Sequence, residues 1–263
     1  MKTLSPTQHA CLDAMGIDVW VSRDEPIIVE SETEVVESVS EQVAIQAEPA
    51  LESKTIETPV AEIKISPAEP VTPNIPTDWN GLQQAVSSCQ QCELHTSRTH
   101  TVFGAGNQNA NWLVIGDTPT LEDDSTGNPF TGQSGDLLTA MLRAIKLTRQ
   151  LVYITNTLKC TTPNNREPEA SELETCLKYL HQQITLIKPK LILVMGQSAA
   201  QRVLNTHSTL ARLRQKVHML EGTNIPVIVT YHPASLLSMP ANKGKAWQDL
   251  LFANKTITTE AVL

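Results

Sequence analysis

Four short apolar runs punctuate the chain beyond residue 111, at residues 112–116, 151–155, 190–195 and 226–231. The first, Trp112-Leu113-Val114-Ile115, has the length and β-branched content of a buried strand, and Gly116 to Pro119 ends it at once. Longer amphipathic stretches predict helices over 134–146, 169–187, 197–204 and 243–252. Strict alternation of strand and helix implies right-handed crossovers, with helices on both faces of a parallel sheet. The expected fold is an α/β domain over residues 79–263, three-layer α/β/α around a four-stranded parallel sheet.

The pattern ahead of this domain is different. Residues 24–78 hold seven Pro, no Gly and no aromatic residue, with Glu at short intervals. Such a segment buries too little apolar surface to offset its ordering entropy, so an extended, disordered acidic linker is expected. Residues 1–23 look ordered again: Ser5-Pro6-Thr7-Gln8 starts a helix that Gly16 stops, and Ile17 to Val21 alternates like a strand. This piece is too short to fold alone. It is either an extra helix docked on the domain or a peptide that folds onto a partner.

Charge separates the same regions. Thirteen Asp/Glu against two Lys give residues 24–78 a net charge of −11, while the whole chain carries −8. With residues 1–23 balanced, the domain is left at +3. A mildly basic domain leaves nucleic acid open as a partner without demonstrating it. No apolar run approaches the roughly 20 residues of a membrane helix, and no signal peptide is evident, so a cytoplasmic protein is expected.

Candidate chemistry gathers at the strand ends. In a parallel sheet the carboxyl ends of the strands share one edge, where ligands bind. Asp117, Asn156 and His232 follow three of the predicted strands and can converge there. Gly196 and Ser198 follow another and open a helix, whose free N–H groups could receive a phosphate. The segment after Gly116 is polar and rich in turn residues, and is expected to be a loop. Phe130 sits within it, outside any apolar run, as a candidate stacking platform.

Five cysteines add a second theme. Cys89-Gln90-Gln91-Cys92 is a Cys-x2-Cys pair, Cys160 follows the second strand and Cys176 falls on a helix. Four thiolates suit either zinc or an iron-sulfur cluster, and spacing does not choose between them. Cys11 lies apart.

The ordered set Cys-x2-Cys, Gly-acid-x-Pro, Gly-x-Pro-Phe-x-Gly, Ile-Thr-Asn-x-x-Lys-Cys, Pro-x-Asn-Arg-x-Pro, a further Cys and His-Pro-Ala, spread over residues 86–252, resembles the family 4 uracil-DNA glycosylases. The resemblance implies a [4Fe-4S] cluster on Cys89, Cys92, Cys160 and Cys176. It implies excision of uracil flipped out of DNA, with Phe130 stacking on the base, Asn156 reading its edge and His232 stabilising the departing anion. Leu236 and Leu237 become candidate wedges for the gap in the DNA. Leu12 to Trp20 resembles the amino-terminal peptide of the psi subunit of the bacterial DNA polymerase III clamp-loader complex, which implies docking of residues 1–23 on clamp-loader subunits.

One motif departs from the family. Where the family resembles Gly-Glu-[Ala/Gly]-Pro-Gly, this chain has Gly116-Asp117-Thr118-Pro119-Thr120. Thr118 brings a branched side chain to the base pocket, and the water-positioning carboxylate falls to Asp117 or Asp123. The reading is a uracil-DNA glycosylase. The competing class is a replisome adaptor that keeps the fold and DNA affinity with weakened catalysis, followed by a purely structural iron-sulfur protein.

Overall fold

The computed structural model describes residues 75–260. The readings for residues 1–23, and for all of the acidic linker except its last four residues, lie outside the described residues. Ile75 lies against the cluster of Leu82, Val86, Phe103 and Tyr179. Asp78 then caps the first helix by accepting from the Gly81 N–H at 2.8 Å.

The elements in chain order are α1 (Trp79–Ser87), β1 (Ala105–Gly106), β2 (Trp112–Gly116), α2 (Leu121–Thr126), α3 (Gly132–Ala144), β3 (Val152–Asn156), α4 (Ala170–Ile187), β4 (Leu191–Met195), α5 (Gln197–Val203), α6 (Leu210–Leu213), β5 (His218–Met219), β6 (Pro226–Thr230), α7 (Pro233–Ser238) and α8 (Lys243–Glu260). Short 3-10 turns lie at Glu93–Thr96, Pro163–Asn165 and Pro240–Asn242. The sheet has six strands in the order β1-β3-β2-β4-β6-β5, so it is mixed and not purely four-stranded. The four interior strands pair in parallel, and the two-residue strands β1 and β5 add antiparallel at the edges.

Period-two alternation divides the buried strands between two cores. On one face Val114, Ile154, Leu193 and Ile228 meet α3, α7 and α8 through Leu138, Leu142, Leu236 and Leu250. On the other Leu113, Ile115, Ile192 and Val229 meet α4 and α5 through Leu180, Ile184 and Ala200. Every residue of β2, β3, β4 and β6 is buried, which is why these runs read as continuously apolar.

Two expectations are corrected. Residues 117–135 are not one loop: α2 forms there, because Thr120 and Asp123 close a capping box around its first turn. The polar run also reaches the interior, since Asp123 and Asp124 are buried with backbone N–H groups bound to their carboxylates. Leu236 is not an exposed wedge. It lies on α7 at 1% exposure within the α3, α7 and α8 core, whereas Leu237 beside it is 40% exposed. Leu236→Ala should therefore cost about 2–5 kcal/mol of stability in chemical denaturation, and Leu237→Ala well under 1 kcal/mol.

Candidate active site

The carboxyl ends of β2, β3, β4 and β6 meet along one rim. Gly116 pairs with Asn156, and Met195 pairs with Thr230, so the residues that follow these strands emerge side by side. A cleft of about 610 Å³ opens there, lined among others by Asp117, Thr118, Gly196, Ser198, Arg202 and His232. Those of the expected site residues are thus brought together. Phe130 and Asn156 are both buried and do not line the cleft themselves, though the Phe130 ring lies against His232, which does; Gly116 sits between the two, and a Cβ on it would collide with Asn156 Oδ1 and with the Phe130 ring. Only glycine allows that approach.

Asn156 has an unsatisfied donor. Its Nδ2 is buried and meets no partner among the described residues, a loss of about 1–3 kcal/mol that native interiors rarely tolerate without a purpose. Its backbone carbonyl is held by Lys159, whose Nζ also donates to Thr155 Oγ1 and Gln183 Oε1 at 2.9, 2.6 and 2.7 Å for the three bonds. Lys159 is wholly buried, and desolvation pushes its pKa down to about 7. Lys159 therefore holds the backbone of Asn156, while the side-chain Nδ2 keeps an unpaired donor.

His232 is the N-cap of α7, with Pro233 at the first helical position. The Ala234 N–H donates to its Nδ1 at 3.2 Å, so the neutral ring carries its proton on Nε2. Its ring lies against Phe130, with centroids 5.3 Å apart and planes inclined by 28°. Desolvation pushes its pKa down to about 4, only partly offset by the negative charge of Asp123. At neutral pH His232 is a neutral hydrogen-bond donor.

The two carboxylates differ. Asp117 faces the cleft and is ion-paired with Arg202 of α5, while its carbonyl accepts from Thr157 Oγ1 at 2.7 Å. Asp123 is absent from the cleft lining and is occupied locally: Thr120 N–H, Thr131 N–H and Thr131 Oγ1 donate to it at 3.0, 2.7 and 2.6 Å. Its geometry is that of a helix cap and not of a catalytic base.

Sequence reasoning missed Arg202, Tyr231 and Arg149. Arg202 and Tyr231 line the cleft, and the Arg214 guanidinium lies over the Tyr231 ring at 4.8 Å while gripping the buried Asp249. An arginine six residues beyond a strand-ending glycine was the available signal for Arg202.

Four cysteines form a second cluster behind β3. Cys92, Cys160 and Cys176 pack with Leu94, Leu158 and Leu173, and Cys89 borders the neighbouring cluster at α1. All four are free thiols. Burial pushes the thiols of Cys92 and Cys160 up and that of Cys176 to about 12, with the other cysteines' charges acting in the same direction. Arg98 donates to Cys160 Sγ at 3.0 Å and to the Cys89 carbonyl at 2.8 Å. Among the described residues, no three His, Cys, Asp or Glu stand at the spacing that grips a single metal ion. Four closely spaced thiols on three separate segments, which ionise to thiolates on binding a cation, are a donor set that fits a larger cationic group held by all of them.

The carboxyl edge of this α/β sheet thus carries a cleft, with a buried amide whose donor is unpaired and an aromatic ring close by. Residues 103–251 match the family model described as Uracil DNA glycosylase superfamily. The chain is 42% identical to the type-4 uracil-DNA glycosylase of Archaeoglobus fulgidus over 60% of its own length and 83% of that protein. It is 36% identical to the type-4 uracil-DNA glycosylase of Thermotoga maritima over 62% of its length and 84% of that protein. For that of Pyrobaculum aerophilum the values are 35%, 66% and 91%. The chain belongs to the uracil DNA glycosylase superfamily and is a DNA N-glycosylase.

Proposed function

We propose that this protein hydrolyses the N-glycosidic bond of deoxyuridine flipped out of DNA, with the base held between Phe130, Asn156 and His232. The carrying observation is the buried, partnerless Nδ2 of Asn156 beside an aromatic ring. An amide offers a donor and an acceptor in one plane, which matches the O4 and N3–H edge of uracil and mismatches the reversed edge of cytosine. Phe130 supplies the stacking face. His232, neutral and protonated on Nε2, donates to the charge developing on O2 as uracil leaves, with no proton to lose first.

Asp117 is the carboxylate placed to hold the attacking water and to face the positive charge growing on the sugar. Arg202 pairs with it and orients it. Gly196 and Ser198 at the start of α5, and Thr118 across the cleft, then border the path of the DNA strand. Leu237, the exposed member of its pair, is the remaining candidate to fill the vacated stack.

Cys89, Cys92, Cys160 and Cys176 are the residues that would hold a [4Fe-4S] cluster. Bound there, the cluster would supply a crosslink between α1, the segment after β3 and α4. Purified protein should be brown with broad visible absorption, and a colourless preparation carrying one zinc ion would refute the assignment.

The deciding assay incubates the protein with single- and double-stranded oligonucleotides containing one uracil and measures alkali-labile abasic product. Product from uracil and none from cytosine is expected. No product at stoichiometric enzyme would remove the catalytic reading and leave a DNA-binding protein.

A further inference from the structure

Phe130 has a backbone conformation that an aromatic residue seldom adopts. Its φ is +54°, in the left-handed region that disfavours any side chain with a Cβ. A residue left to itself would relax away from it, and something must therefore hold it.

The restraint comes from two oppositely charged side chains. Arg149, in the turn between α3 and β3, donates through Nη2 to the Pro129 carbonyl at 2.7 Å and through Nη1 to the Phe130 carbonyl at 3.3 Å. On the next residue, Thr131 donates its N–H and its hydroxyl to Asp123. Asp123 also attracts Arg149, so the two halves of the restraint support each other. Beneath them Gly135 leaves room for the Phe130 carbonyl, which a Cβ on that residue would strike. The guanidinium fork suits this arrangement because it reaches two successive carbonyls at once, where an ammonium makes point contacts.

We propose that Arg149 is a positioning residue for base recognition, holding Phe130 in the left-handed conformation that presents its ring beside Asn156 and His232. This rests on the role given to Phe130 above. Arg149 does not line the cleft and its hydrogen bonds go to the Pro129 and Phe130 carbonyls, so its influence on the base passes through that backbone. Removing it shrinks the population of the competent conformer, and apparent affinity for the base falls in proportion.

The test is a mutant cycle on the full chain, reading uracil excision under single-turnover conditions and inhibition by free uracil. Wild-type activity is established first, and its absence would fail the function and not this inference. Arg149→Met should raise the inhibition constant for uracil about tenfold and lower excision by a similar factor, with affinity for abasic-site DNA unchanged. Arg149→Lys should show a smaller change in the same direction. On a Phe130→Leu background both substitutions should be silent to within about twofold, because the ring they position is gone. Losses that multiply with that of Phe130→Leu, or an unchanged uracil inhibition constant, would overturn the proposal. If Arg149→Met does not fold by circular dichroism, Arg149→Lys takes its place in the cycle and the same outcomes decide.

Discussion

Asn156→Ala is expected to lower uracil excision about ten-thousandfold while leaving folding stability within about 1 kcal/mol of wild type. Two arguments combine. A site built to hydrogen-bond both polar atoms of a base edge loses about four orders of magnitude when that edge goes unread. The amide Nδ2 makes no bond among the described residues, so folding loses little when it is removed, and the shed desolvation penalty offsets the small cavity. Single-turnover excision paired with thermal denaturation separates the two effects. A drop below tenfold, or a variant that unfolds readily, would mean that Asn156 serves the fold and not the base.

His232→Ala should reduce excision by about a hundred- to a thousandfold, the usual cost of removing one donor aimed at developing charge. The pH profile tests the protonation state. With its pKa pushed down to about 4 by burial, the ring stays neutral across the physiological range, so the His232 contribution should stay flat and fall only as pH approaches 4. The sign for stability follows from linkage: between the ordinary value of 6.5 and about 4 the unfolded chain binds a proton that the folded one does not. The His232 contribution to stability is therefore lost as pH falls through that window and is constant above it. An activity decline centred near 6.5 in wild type, absent in the alanine variant, would show a solvated, cationic imidazole instead.

The interior strands were legible because burial on both faces forces unbroken apolar runs, and the turn residues that end them mark the rim of the site. Strands β1 and β5 were not, since Ala105-Gly106 and His218-Met219 carry no pattern of their own and owe their pairing to their neighbours. α2 was missed although Thr120 and Asp123 spell its cap, because the polarity of the segment suggested solvent. Its outer face is indeed exposed, but Asp123 and Asp124 turn inward and are buried, their carboxylates satisfied by backbone N–H groups. Leu236 and Leu237 are adjacent apolar residues, and only the orientation of α7 decides which one is buried.

Residues that act at long range were the least legible. Arg149 and Phe130 are nineteen positions apart, and Arg202 and Asp117 are separated by two crossovers. Nothing in local spacing announces such partners. The motif resemblance pointed to Phe130, Asn156 and His232 but was silent on the side chains bonded behind them, such as Arg149 at the Phe130 carbonyl.

The short antiparallel strands at both ends of the sheet have a further effect. A long open border would invite neighbouring molecules to extend the ladder, whereas β1 and β5 present two residues each before the chain turns away. Gly106 tightens one border further, since a side chain there would meet the Val152 carbonyl. Two-residue borders of this kind offer little ladder for a second copy to extend, so strand addition is disfavoured at both margins.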